Sequence, residues 1–174
     1  TGLSPGGGDR IVEIGCAELV HGVPSGRTYQ QYINPEREVP EEVVAVHGLR
    51  EDFLSGHPTF ADIVEEFLEF LDDSPLVIHN AEFDMGFLNA ELKRVGRPPL
   101  PLTRAIDTVR LARQKFPGMP ANLDALCRRF EIDITGRTLH GALKDSILLA
   151  QVYLELTGGR QADLALADPA RRQG

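Results

Sequence analysis

At 174 residues, with 42% hydrophobic and 25% charged residues, the chain is one domain's worth of ordinary globular sequence and long enough for a sizeable core. Its net charge of −8 argues against a broad, salt-driven grip on duplex nucleic acid; no secretory signal is visible, and no apolar run approaches the roughly 20 residues of a membrane span. Cys16 and Cys127 each lie in an apolar pattern without a partner at metal-ligand spacing, which favours buried thiols in a reducing cytoplasm over a disulfide or a zinc site.

Residues 1–9, with four glycines and a proline, read as loop. Arg10 to Val20 reads as a strand in which Val12, Ile14 and Cys16 alternate with Glu13 and Ala17. Gly22 to Gly26 turns the chain into a second strand, Arg27 to Ile33, giving a hairpin with a longer loop. Pro40, with Glu41 and Glu42 behind it, suits the first turn of a short helix that Gly48 ends after His47. Thr59 and Asp62 make a capping-box start for a helix whose Phe60, Ile63, Val64, Phe67, Leu68 and Leu71 share one face.

After Pro75, Leu76 to His79 is a short buried strand, followed by a helix from about Asp84 to Val95 that Gly96 and Pro98 close. Ala105-Ile106 is a brief strand, and Asp107 is a natural N-cap for a helix over Thr108 to Lys115. Asn122 caps another helix through about Phe130, and Ala142 to Leu156 forms the last, ended by Gly158-Gly159. A hairpin, then helices, then strand–helix units predict a mixed α/β layer fold. Residues 1–159 are read as the folded domain and 160–174 as a flexible tail or linker.

Two clusters carry chemistry. His140 and Asp145 are five residues apart, roughly 140° of azimuth on a continuous helix, so they converge only if Gly141 marks a boundary with His140 on the loop before it. Asp145 then lies in line with Leu149, Val152 and Leu156, a carboxylate on an apolar stripe. A metal ion would stabilise such a group; compensation of the helix dipole explains it equally economically. The second cluster, His79-Asn80-Ala81-Glu82-Phe83-Asp84, lies where a buried strand gives way to a helix, the usual ligand crevice of open α/β sheets. Taken alone, Asp84 is a dipole-compensating acid, Glu82 a solvated acid and His79 a hydrogen-bonded core histidine.

Phe83-Asp84 followed by Gly86-Phe87-Leu88, and His140-Gly141-Ala142-Leu143-Lys144-Asp145, resemble the second and third motifs of the DEDD family of 3′→5′ exonucleases, in its histidine-bearing branch. Ile11 to Gly15, Val46 to Leu49, Asn122 to Cys127 and Arg137 to Leu143 resemble, in order and spacing, the proofreading exonucleases of bacterial DNA polymerases. The match runs from Thr1 to about Gly159.

The resemblance implies a ribonuclease H-like mixed sheet flanked by helices, and a bacterial cytoplasmic enzyme that hydrolyses the terminal phosphodiester of single-stranded DNA to release 5′-mononucleotides. Two divalent ions, Mg²⁺ or Mn²⁺, would be held by Asp145 and Asp84, with His140 as general base. Glu42 and His47 match positions that contact the terminal nucleotide, and Leu3 and Phe83 match apolar neighbours of its base. Without the resemblance these four read as a helix-start acid, a helix-end histidine and apolar core or loop residues. Asp107 is sufficiently explained as a cap.

The family's first motif, an Asp-x-Glu on the first strand, is missing upstream of Thr1, whose Thr1-Gly2-Leu3 looks like the tail of that run. Taken literally, a chain without that strand is a poor nuclease with exposed backbone along its neighbours; the expectation is that a few residues precede Thr1. Gln161, Leu164 and Leu166 in the tail resemble a short sliding-clamp motif. The polymerase catalytic subunit is the other implied partner. Two rival readings are an RNA-trimming exonuclease of the same fold and a catalytically inert binding module of a replication complex.

Overall fold

The computed structural model describes residues 10–36, 51–134 and 141–158. Two antiparallel strands, β1 (Glu13–Val20) and β2 (Val23–Tyr32), form a hairpin. Its loop is only His21-Gly22, both at positive φ (53° and 80°), the type I′ geometry whose twist matches paired strands. The longer loop expected from Gly22 to Gly26 is therefore corrected: β2 starts at Val23, and the sequence irregularity appears instead as a register shift between Ala17 and Leu19.

A single helical turn, α1 (Glu51–Leu54), which the sequence pattern does not announce, precedes α2 (Phe60–Leu71). The start of α2 is set as expected, with Asp62 Oδ2 accepting from Thr59 N at 3.0 Å. Phe60, Ile63, Val64, Phe67 and Leu71 are buried along its inner stripe, each large side chain contributing about 1.5–3 kcal/mol of transfer free energy. Tyr29 of β2 packs on Phe67 and Phe70, with ring centroids 5.8 and 5.7 Å away.

Next come β3 (Leu76–Ile78), α3 (Ala81–Arg94), a 3₁₀ turn (Leu102–Arg104), β4 (Ala105–Asp107) and α4 (Thr108–Lys115). Strands β3 and β4 pair in parallel, Ile78 opposite Asp107. The guanidinium of Arg104 donates to Ser74 O at 2.8 Å and Asp72 O at 2.6 Å, so a cation sits where the carbonyls at the end of α2 point. Two helices complete the order, α5 (Leu123–Arg129) and α6 (Ala142–Leu156). Antiparallel and parallel pairing are both present, as a mixed sheet requires, distributed over two strand pairs among the described residues.

One core lies between the hairpin, α2 and α3, with Ile14, Ile33, Phe60, Phe67, Phe87 and Leu92 inside it. A second joins α4, α5 and α6 through Ala112, Leu126, Cys127, Leu148 and Val152. Burial pushes the Cys16 thiol up to about 11, and Cys127 is inaccessible; Cys16 packs against the first core and Cys127 lies within the second. No helix among the described residues is long and apolar enough to cross a membrane.

Candidate active site

The parallel pair β3/β4 delivers both of its chain ends to helix starts. Strand β4 ends at Asp107, whose Oδ1 accepts from Val109 N at 2.9 Å and caps α4, as its sequence position suggests. Strand β3 leads through His79 and Asn80 into α3. That helix begins at Ala81, three residues earlier than the pattern predicts, because Asn80 adopts the left-handed conformation (φ 67°, ψ 62°) and turns the chain at once. Asp84 therefore sits on the first turn of α3 rather than at its very start.

Asp84 is exposed as a residue, yet burial of its carboxyl group against surrounding protein, reinforced by the negative charge of Asp107, pushes its pKa up to about 6. A carboxylate open to solvent on one side and poorly solvated on the others is suited to receive a cation from solution. Phe83 beside it is 38% exposed, its ring 5.1 Å from the buried Phe87 ring. It is thus not a core residue but an apolar face at the surface next to the acid. Glu82 is exposed, as expected of a solvated acid.

His79 is half-buried, its Nδ1 2.8 Å from Thr108 Oγ1, and the Thr108 hydroxyl donates to Ile78 O at 3.2 Å. Burial lowers the His79 pKa, opposed by the Ala121 backbone and Asp107, so a neutral imidazole is favoured. His79 is a hydrogen-bonded structural histidine, matching its plainest sequence reading.

Asp145 is carried by α6. Gly141 is the N-cap of α6 with extended backbone (φ −77°, ψ 129°), confirming the boundary inferred from the five-residue spacing. Asp145 is half-buried in the first turn, its N–H bonded to Gly141 O at 2.9 Å, and Val152 further along its stripe is fully buried. His140, Leu3, Glu42, His47, Gln161, Leu164 and Leu166 lie outside the described residues.

Sequence reasoning missed Glu13. It looked like an outward strand residue, but its Oε1 accepts from Ala142 N at 3.1 Å, so a carboxylate of β1 caps the helix that carries Asp145. Ser146 Oγ donates to Gly15 O at 2.6 Å beside it. Glu13 and Ala142 are 129 residues apart, and no local pattern signals such a contact.

Carboxylate oxygens are the donors that hard divalent ions such as Mg²⁺ and Mn²⁺ prefer, and a poorly solvated, solvent-accessible Asp84 fits that role. The described residues contain no cluster of three or more His, Cys, Asp or Glu side chains arranged to hold a metal.

The exonuclease family profile matches residues 1–153. The DNA polymerase III subunit epsilon of Rickettsia felis is 54% identical over 171 residues, 97% of this chain and 75% of that protein. That of Escherichia coli K12 is 44% identical over 164 residues, 92% of this chain and 67% of that protein. Among solved structures, the nuclease domain of 3′hExo, a DEDDh family member bound to rAMP, superposes with a TM-score of 0.73 at 19% identity, covering 86% of this chain and 82% of that one. Exonuclease X in complex with 5′-overhanging duplex DNA gives 0.66 at 23% identity, covering 90% and 87%.

Proposed function

The chain belongs to the exonuclease family, with DEDDh exonucleases as its structural neighbours and epsilon subunits as its relatives, and from that premise we propose that it removes nucleotides from the 3′ end of single-stranded DNA as the proofreading exonuclease of a bacterial replicative polymerase. The observation that carries the site assignment is Asp84: an accessible carboxyl whose pKa burial raises to about 6, at the carboxyl-terminal end of a parallel strand pair in the second family motif.

Asp84 and Asp145 would hold two Mg²⁺ or Mn²⁺ ions. When bound, such ions neutralise charge on the scissile phosphate and lower the pKa of water. His140, on the loop before the Gly141 cap, would take the proton from the attacking water, for which an unperturbed imidazole is well matched near neutral pH. Phe83, exposed beside Asp84, offers a face on which the terminal base can stack, with Leu3 as its apolar companion and Glu42 and His47 on the terminal nucleotide. The absence of a strongly basic composition suits a frayed terminus better than a long duplex track. Residues 1–159 would form the nuclease unit. In the tail, Gln161, Leu164 and Leu166 would engage the sliding clamp beside the polymerase catalytic subunit.

The test is end-labelled single-stranded DNA and RNA of the same sequence, incubated with the protein and Mg²⁺ or Mn²⁺, with and without chelator. Metal-dependent release of 5′-mononucleotides from the DNA 3′ end, lost in Asp84→Asn and Asp145→Asn, is expected. Faster trimming of the RNA would reassign the substrate, and no release from either would leave a binding module.

A further inference from the structure

We infer that Asp107 is a positioning residue for Asp84: one oxygen of its carboxylate joins the starts of two helices and holds the backbone turn from which α3 departs. The inference rests on the reading of Asp84 as a metal ligand. Capping α4 needs a single bond, the one from Val109 N at 2.9 Å. The same Oδ1 accepts a second, from Asn80 N at 3.1 Å, across 27 residues of sequence. Asn80 is the residue in the left-handed conformation, which among residues with a side chain Asn and Asp adopt most readily, and this bond fixes its amide there.

A second tie lies alongside the first. His79 Nδ1 is hydrogen-bonded to Oγ1 of Thr108, a fully buried residue, at 2.8 Å. Both residues leaving β3 are thus bonded to the two residues that end β4 and start α4. The first turn of α3 is built on this anchor, Phe83 N bonding to Asn80 O at 3.1 Å, and Asp84 follows at once. A rotation at Asn80 therefore swings Asp84, whereas the rest of α3 is held by its own core contacts. The effect of Asp107's charge on the Asp84 carboxyl places the two groups in the same neighbourhood.

A simple cap and a positioning residue are separated by side-chain reach. In Asp107→Ser a short hydroxyl still caps α4 but cannot also reach Asn80 N; in Asp107→Asn the acceptor oxygen is kept and the charge removed. The full protein and these variants would be compared by Mn²⁺ binding (electron paramagnetic resonance of the free ion), by hydrogen exchange of the Asn80 amide and by thermal melting. Asp107→Ser is expected to melt near wild type, lose protection at Asn80 and bind Mn²⁺ about tenfold more weakly, the usual scale for removing a group that orients a metal ligand. Asp107→Asn should stay close to wild type in all three. Wild-type protection and Mn²⁺ affinity in Asp107→Ser would overturn the inference, as would Asp107→Asn binding as weakly as Asp107→Ser, which would signal charge rather than the bond. Unchanged Mn²⁺ affinity in Asp84→Asn would instead overturn the ligand reading beneath it, while Asn80 exchange still reports on the tie itself.

Discussion

The carboxyl of Asp84 carries a pH-dependent cost in the folded protein. Its pKa rises from the ordinary 3.8 to about 6 because burial disfavours the charged form. Between those values the folded protein keeps a proton that the unfolded chain has lost, so unfolding releases it. Stability therefore falls as pH rises through that window, and the whole penalty stands above about 6; below about 4 both states are neutral and none remains. The residue is exposed, so solvent screens part of the effect. In EDTA, Asp84→Asn should raise the urea midpoint at pH 7 and change it little at pH 4, a gain in stability at a position where the proposed function expects a loss of activity. An equal shift at both pH values would show that ionisation of Asp84 is not the cause. The second motif made Asp84 legible from sequence. Its raised pKa was not, because burial, the main cause, and the lesser effect of Asp107, 23 residues away in sequence, both come from tertiary packing rather than from any local pattern.

Among the elements, what could be read were those whose signals are local. The stripe and box of α2, the Asp107 and Asn122 caps and the Gly141 boundary of α6 all sit where period and capping rules put them. The hairpin loop and the start of α3 were not legible, since both depend on a non-glycine residue at positive φ, His21 and Asn80, which composition does not announce. The seating of α6 on β1 was equally invisible, and it is the contact that fixes where Asp145 lies. A Cβ built on Gly15 would stand 2.3 Å from Ala142 C and Leu143 N, backbone atoms that cannot swing aside. Gly15→Ala should therefore push the first turn of α6 off β1, stretching the Glu13 and Ser146 bonds, at a cost of about 1–3 kcal/mol or more. Gly141→Ala is the control: nothing lies within 4 Å of its added Cβ, and the cost should stay under about 1 kcal/mol. Thermal melts of the pair check this. Equal destabilisation would mean that the close approach is not what matters.

For the whole molecule, β1 is the common reference for the two elements that carry Asp84 and Asp145. One end of it seats α6 through Glu13 and Gly15. Just before it, Arg10 grips α3: Nε and Nη2 bond Glu91 Oε1 and Oε2 at 2.5 and 2.7 Å, and Arg94 adds a contact at 3.2 Å. The Glu91 side chain is 1% exposed, so its charge is stabilised by these partners rather than by water. Glu91 lies seven residues after Asp84, nearly two helical turns, and so on nearly the same face of α3. Releasing Arg10 should then have two separable consequences. Stability should drop by about 3–5 kcal/mol in Arg10→Met, because a buried carboxylate loses its main partner, while Arg10→Met/Glu91→Leu should recover most of it, since a matched apolar pair replaces a desolvated ionic one. If the pair also sets the pose of α3, Mn²⁺ affinity should fall in the single variant beyond what global unfolding accounts for and return in the double. Urea denaturation gives the first quantity and a Mn²⁺ titration well below the unfolding midpoint gives the second. A double variant as unstable as the single one would show that Glu91 does not need Arg10. A single variant that is destabilised yet binds Mn²⁺ normally would confine the pair to stability and leave the placement of Asp84 to the β3/β4 turn.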